Sequence, residues 1–356
     1  MLKRYGGATK RLTGKGRVRQ FAELLSLAYS HSIPPTTYYL FRLFDDGPRR
    51  NVSSYIHRFE TKTGLFAFLN CNLGDEAAHE LMGNKQAFAQ RCIERNLPTP
   101  EVYLEVEDGE VVPRLWGQPG LPRNDIIVKR REGKGGHVMM RWEVQADGRY
   151  LGDTGERLDA EGVLDLLKHD SHSMALIAVR RVVNHPDILC MAGPEEKILT
   201  TCRLVTGLNE AGVPEVLSST FKIAVDQSVA DNVHFGGLAS PVDIHTGTLG
   251  PGIETSPLGV PVDVHPVSGA PIAGAKLPMW DDVLALVKRA HEGFPEAIFV
   301  GWDVGLTPDG PTLVEGNSAK CVHLQQTPQG APLGAGRFGE IMAYHLERID
   351  WESAAY

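Results

Sequence analysis

Three oxygen-bearing side chains near the C-terminal end, Asp303, Glu315 and Asn317, carry the strongest chemical signal in the sequence. They sit on two apolar runs, 299–306 and 311–317, joined by Thr307-Pro308-Asp309-Gly310. Proline presets φ, and aspartate and glycine tolerate a tight bend, so the stretch reads as a β-hairpin. Folding it about Asp309 brings Asp303 opposite Glu315. Glu315 and Asn317 are two apart and share one face of a strand. Like charges opposed in a half-buried hairpin destabilise it unless something positive lies between them. Hard oxygen ligands, completed by water and phosphate, suit Mg²⁺ bound together with a nucleotide. The plainer alternative is a solvated turn with incidental acids, and the apolar residues flanking both acids speak against it.

Cations at four places complement these acids. Lys85 follows Asn84 in the first turn of a helix, the wrong end of the helix dipole for a positive charge, which points to an anion there. Lys129 ends the buried-type strand 125–129 and runs into Arg130-Arg131-Glu132-Gly133-Lys134-Gly135-Gly136-His137-Val138. Glycines such as Gly133, Gly135 and Gly136 let backbone N–H groups approach phosphate oxygens, and the cations neutralise them. A ligand-free glycine-rich turn and an ordinary exposed lysine are the plain readings of these two stretches. Neither G-x-x-x-x-G-K-[ST] nor G-x-G-x-x-G occurs, so a P-loop or a dinucleotide fold is unsupported. Arg203 and Lys222 stand among apolar neighbours on the strands 197–205 and 216–225. Charge there is costly unless paired, so they face a polar cleft or form structural ion pairs.

The elements that position these residues follow from periodicity. Residues 17–46 look helical, with Phe21, Leu24, Leu25 and Ala28 as one apolar stripe, expected to face the core with a partner-binding surface as the alternative, and Pro34-Pro35 as a break. A second helical piece covers 36–44, and 47–75 gives no clear signal. Asn84 caps a helix over 84–96. Residues 156–168 read as a helix and 174–183 as a strand. The edge of that strand offers backbone groups beside apolar side chains, as an adenine site needs. His185-Pro186-Asp187 follows. Residues 226–276 are rich in Gly and Pro and carry Asp231-Asn232-Val233-His234-Phe235-Gly236-Gly237, a substrate loop using Asn232 and His234, or a plain connector. Helices over 277–294 and 337–349 flank the acidic hairpin.

The 356 residues are 42% hydrophobic, enough for a substantial core divided among two or three domains. The expected divisions are a helical N-terminal region over 1–80 and two α+β units over 81–190 and 191–356. A net charge of −8 argues against a general nucleic-acid partner. No apolar run reaches the roughly 18 residues of a membrane helix. The basic N-terminus is a poor signal peptide, and five cysteines without a C-x-x-C pair indicate reduced thiols and a cytoplasmic protein. That basic segment touches anionic lipid or a partner, or is simply a solvated end.

Taken in order, Asn84-Lys85, the strand and loop from Lys129 to Val138, a hinge strand, and Asp303 with Glu315-x-Asn317 resemble the ATP-grasp superfamily. The sequence is most similar to its sugar-transfer-associated family through 183–186, 199–206, 231–237, Val242-Asp243 with Thr246-Gly247, and the acidic hairpin. The resemblance covers roughly 36–330. It implies an α/β (α+β) ATP-grasp fold, with two α+β subdomains gripping ATP behind a helical N-terminal region. It further implies Lys85 and Lys129 on ATP phosphates under the 131–138 loop. Adenine would lie on the backbone of Arg181 to Val183, the ribose near Asp187, and magnesium on Asp303, Glu315 and Asn317. Gly301 stands where several ATP-grasp ligases carry an arginine, so Arg203 or Lys222 takes that catalytic role. The implied activity is an ADP-forming ligase that joins a small-molecule carboxylate to an amine, or a thiol, through an acyl-phosphate. The alternatives are a phosphotransferase and a non-catalytic nucleotide-binding scaffold subunit. The family name suggests cell-surface polysaccharide biosynthesis. A homodimer is left open, with the helical N-terminal region as its contact surface.

Overall fold

The computed structural model describes residues 1–57, 65–75, 77–112, 121–132, 138–192, 198–225, 237–318, 322–352 and 354. The chain opens with helices α1 (Leu2–Thr13), α2 (Arg17–His31), α3 (Pro35–Leu40) and α4 (Asp46–Arg50). Helices α5 (Phe66–Leu73), α6 (Ala77–Gly83) and α7 (Lys85–Glu94) follow. The first sheet takes β1 (Val102–Glu107), β2 (Glu110–Val111), β3 (Ile126–Arg130), β4 (Val138–Val144), β5 (Tyr150–Gly152), β6 (Arg157–Leu158) and β7 (Leu176–Arg180). Its strand order is β2-β1-β7-β3-β4-β5-β6, and helix α8 (Ala160–Ser171) packs Val163 and Leu167 into its core.

Helix α9 (Pro186–Ala192) leads to the second sheet. Its strands are β8 (Thr201–Leu208), β9 (Pro214–Ile223), β10 (Leu238–Pro241), β11 (Ile253–Glu254), β12 (Phe299–Thr307) and β13 (Gly310–Asn317). They lie in the order β11-β10-β9-β8-β12-β13, antiparallel at every junction. Helices α10 (Trp280–Gly293), α11 (His323–Gln329) and α12 (Arg337–Glu347) complete the α-helices among the described residues, with short 3-10 turns at Val52–Ser54 and Leu333–Ala335.

Strand β12 is buried along its whole length, between β8 and β13. Side chains alternate across a strand. Val300, Trp302, Val304 and Leu306 enter the core shared with Val283, Leu286 and Val287 of α10, while Phe299 packs against Phe66 and Phe338 on the other side. Asp303 therefore belongs to the face opposite α10. Cys202 and Leu204 of β8 and Phe221 and Ile223 of β9 likewise point to the α10 side, which leaves Arg203 and Lys222 on the face of Asp303.

Several boundaries differ from the sequence expectation, each for a local reason. The helix expected from 156 begins at Ala160, because Asp159 Oδ1 caps Gly162 N at 2.8 Å and Arg157–Leu158 pair with β5. The strand expected over 174–183 ends at Arg180, because Arg181 N turns to Asp125 O at 3.0 Å. The stripe expected to face the core from α2 divides between two faces. Leu24 and Leu27 are buried beside Gln20, whereas Phe21 and Leu25 are exposed. Gln20 takes the inward place because its amide is satisfied there: Nε2 donates to Gly6 O at 3.0 Å and Lys15 O at 2.7 Å, and Oε1 accepts from Tyr39 at 3.0 Å.

Candidate active site

The acidic hairpin forms in the expected register, with Asp303 directly opposite Glu315 and Gly301 opposite Asn317. The route to that register is less simple than a fold about Asp309. The turn is closed by Thr307 and Gly310, and pairing runs evenly as far as Val304 with Leu313. One extra residue, Val314, then bulges out before Glu315 meets Asp303. A bulge reverses the alternation downstream of it. Leu313 thus stays in the α10 core while Glu315 and Asn317 join the face of Asp303.

Asp303 is 5% exposed and is held by two cations from neighbouring strands. Arg203, directly opposite it on β8, donates from Nε to Oδ1 at 2.5 Å and from Nη2 to Oδ2. Lys222 Nζ on β9 lies 3.4 Å from Oδ1. All three side chains are buried. The expectation that Arg203 and Lys222 face a polar cleft, or form structural ion pairs, resolves here into one arrangement: both cations are gathered around the carboxylate. The thiol of Cys202 beside them is pushed strongly upward by burial, so it stays protonated and offers no nucleophile.

Lys85 reaches the same neighbourhood through α7. Asn84 caps that helix, with Oδ1 accepting from Gln86 N at 3.0 Å and Ala87 N at 3.1 Å. Burial draws the Lys85 ammonium below its usual range, and Glu315 and Glu132 partly restore it. The close approach of α7 to β13 depends on Gly316, where a Cβ would stand 2.9 Å from the Phe88 ring and 3.1 Å from the Trp302 ring. Lys129 is brought near by the backbone: Lys85 N donates to Arg131 O at 3.0 Å, two residues beyond Lys129, and Asn84 bridges to Glu132. Gly133, Gly135 and Gly136 lie outside the described residues, as do Asn232 and His234.

Other expected site residues have structural work. Arg131, expected in the phosphate-covering loop, is clamped by Glu105 at 2.8 Å and by Glu107 at 2.8 and 2.9 Å. The Arg181 side chain pairs with Asp125 and Glu143, each at 3.1 Å, and its N–H is already given to Asp125 O. Val183 is half exposed, and Asp187 sits exposed in the first turn of α9. Arg181 and Val183 line a cleft of about 720 Å³ shared with α10 and the hairpin turn, at the end of the hairpin away from Asp303.

A residue given no role from sequence proves to organise the hinge. Asn184 is buried, donates to Ile198 O at 2.7 Å and accepts from Thr200 N at 2.8 Å. His185 N then donates to Leu306 O at 2.8 Å. The Asn184 bonds tie the segment between the sheets to the lead-in of β8, and the His185 bond fastens it to β12. The available signal was an amide directly after the apolar pair Val182-Val183, which if buried must find partners.

Two antiparallel sheets joined by this hinge, one bearing an acidic hairpin and the other running into a glycine-rich basic segment, define an ATP-grasp architecture. The family described as "Sugar-transfer associated ATP-grasp" matches residues 69–337, well over half of the chain, and the protein belongs to it. A search of curated proteins gives no match. Among solved structures, the chain is similar to D-alanyl-alanine synthetase A from Vibrio cholerae O1 biovar eltor, with 10% identity, 78% of this chain and 67% of that one covered, and a TM-score of 0.44. It is also similar to D-alanine–D-alanine ligase from Bacillus anthracis complexed with ATP, with 8% identity, 77% and 68% coverage, and a TM-score of 0.42. For an L-amino acid ligase from Bacillus licheniformis the values are 11% identity, 78% coverage of this chain and a TM-score of 0.40, and the chain spans 50% of that protein's length.

Proposed function

We propose that the protein is an ATP- and magnesium-dependent ligase that joins a small-molecule carboxylate to an amine, or a thiol, through an acyl-phosphate. The proposed setting is cell-surface polysaccharide biosynthesis or related small-molecule biosynthesis. The observation that carries the reading is the opposed pair Asp303–Glu315 with Asn317 beside it, ringed by Arg203, Lys222 and Lys85.

The residues present fit magnesium bound together with a polyphosphate on two grounds, one for each. Two carboxylates and an amide form a hard oxygen donor set. It contains an asparagine, and among the described residues no group of three or more His, Cys, Asp and Glu side chains is placed to hold a metal ion. The Asn317 Nδ2 atom is buried with no hydrogen-bond partner among the described residues, and a bound polyphosphate offers it acceptors. Charge makes the fit conditional. Three cations and two carboxylates already carry an excess of one positive charge, so a lone divalent ion is disfavoured and one arriving with a polyphosphate is favoured. When bound, magnesium neutralises charge developing on the transferred phosphoryl group. Lys85 and Lys129 hold the phosphates, and the hinge backbone about Val183 holds the base, with Asp187 towards the ribose. Arg203 and Lys222 fix Asp303 and present positive charge to the reacting oxygens.

The reaction needs no protein nucleophile. A substrate carboxylate oxygen attacks the γ-phosphorus and ADP leaves. The amine then attacks the acyl carbon, phosphate leaves, and the amine proton passes to solvent. Catalysis on this scheme is positioning and charge neutralisation.

The test is thermal stability with and without Mg-ATP. Ligand at about a hundred times its Kd stabilises by roughly 2.7 kcal/mol. The shift should need magnesium and be lost in Glu315→Gln, which leaves the Arg203–Asp303 pair intact. No shift at millimolar Mg-ATP removes this reading. A phosphorylated product that persists, in place of ADP, phosphate and a new amide, makes the protein a phosphotransferase.

A further inference from the structure

The face of α2 turned away from the core carries Val18 (86% exposed), Phe21 (51%), Leu25 (56%) and Tyr29 (95%). Their spacing of three, four and four residues puts them on one stripe of the helix. Scattered apolar side chains on a surface need no explanation, but a contiguous stripe marks an interaction site. The neighbouring α1 exposes Lys3, Arg4, Lys10 and Arg11. The two helices are held as a hairpin by Gln20, which reaches back from α2 to Gly6 O of α1 at 3.0 Å. In residues 1–31 seven cations stand against the single acid Glu23, an excess of six in a chain whose total is −8. Glu23 is turned inward, 13% exposed, and is covered by Lys15 at 3.1 Å and Arg49 at 2.6 Å.

We propose that the α1–α2 hairpin docks the protein on an anionic lipid surface. The stripe enters the boundary between head groups and acyl chains, and the cations of α1 meet the anionic head groups. Charge selects this occupant over a second copy of the chain, because a two-fold contact would bring the same cations face to face. It selects lipid over nucleic acid because phosphate backbones have no use for Val18, Phe21 and Leu25. Among the described residues no helix is long and apolar enough to cross a membrane. The inference is independent of the ligase reading.

The test is flotation of the full chain with vesicles of phosphatidylglycerol in phosphatidylcholine, compared with phosphatidylcholine alone. Binding to the anionic vesicles should be about tenfold or more stronger than to neutral ones, and should fall as salt is raised. Phe21→Ser with Leu25→Ser, and separately Lys3→Glu with Lys10→Glu, should each weaken it by about tenfold or more. These side chains are exposed, so melting temperatures should stay at the wild-type value, which separates lost docking from lost folding. Absence of binding to the anionic vesicles overturns the proposal. So does equal binding to neutral ones, or a stripe variant that floats like wild type. A dimer in sedimentation that the stripe variant abolishes, without vesicle binding by wild type, reassigns the face to self-association.

Discussion

At the scale of single residues, the Asp303 cluster makes the sharpest demand. A buried carboxylate bound by a guanidinium is expensive to strip of its partner, because the remaining charge is left desolvated. Arg203→Leu should destabilise the protein by about 3 kcal/mol, with Lys222 limiting the loss. Urea unfolding measures it, and a change under about 1 kcal/mol would mean that Asp303 finds other partners. Arg203→Lys should recover part of the loss, since one of two parallel hydrogen bonds survives. Each member of the cluster was legible in the sequence as a charge in an apolar strand, and so was the need for pairing. Which charge pairs with which was not, because Arg203 and Asp303 are 100 positions apart and only the sheet register opposes them. The same lack of register hid the side-chain partners of Arg131 and Arg181. Their acids, Glu105, Glu107, Asp125 and Glu143, sit on or beside neighbouring strands that the sequence does not align.

At the scale of elements, the hairpin and α7 were legible because their signals are local: turn residues between apolar runs, and an asparagine ahead of a helical period. The bulge at Val314 was not, since nothing in the residue itself says that it drops out of the ladder. Helix α10 holds a further hidden device. His291 is fully buried, and its Nε2 bonds to Ala297 O at 2.8 Å, fixing the connection that delivers β12 and Asp303. Burial pushes this imidazole down to about 4 from its usual 6.5, against the pull of the Ala297 carbonyl. The folded state therefore keeps His291 neutral where the unfolded chain already binds a proton. Stability is complete above pH 6.5 and is lost as pH falls from 6.5 towards 4. From pH 7 to pH 5 this residue should remove about 2 kcal/mol. His345, lowered chiefly by burial, acts in the same direction. Urea midpoints across that range check it, and His291→Gln should flatten the slope by about that amount. An unchanged slope in the variant would show that His291 does not carry the effect.

At the scale of the whole molecule, the question is how the N-terminal helices join the body that holds the site. Composition announced a helical region but gave no contact for it, because the joint is made with residues distant in sequence: Tyr55 donates to Gly330 O at 3.4 Å, and Ile56 pairs with a single amide, Gln326. Gln326 of α11 is fully buried. Its Nε2 donates to Ile56 O at 2.8 Å, and its Oε1 accepts from Ile56 N at 3.0 Å and from Leu333 N at 3.1 Å. The pair of bonds to Ile56 copies a strand pairing with a side chain in place of the second backbone. Gln326→Leu would keep most of the volume and leave two N–H groups and a carbonyl without partners. Each buried group so stranded costs about 1–3 kcal/mol, reduced wherever water can enter. The expected loss is about 3 kcal/mol, with faster proteolysis around residues 40–57 as the N-terminal helices loosen. The Mg-ATP shift should survive, because Glu315 and Lys85 do not depend on this joint. Vesicle binding should survive as well, because the stripe and the cations lie on α1 and α2. A variant with wild-type urea midpoint and wild-type proteolysis would show that the N-terminal helices are held by the packing of their own core and not by Gln326.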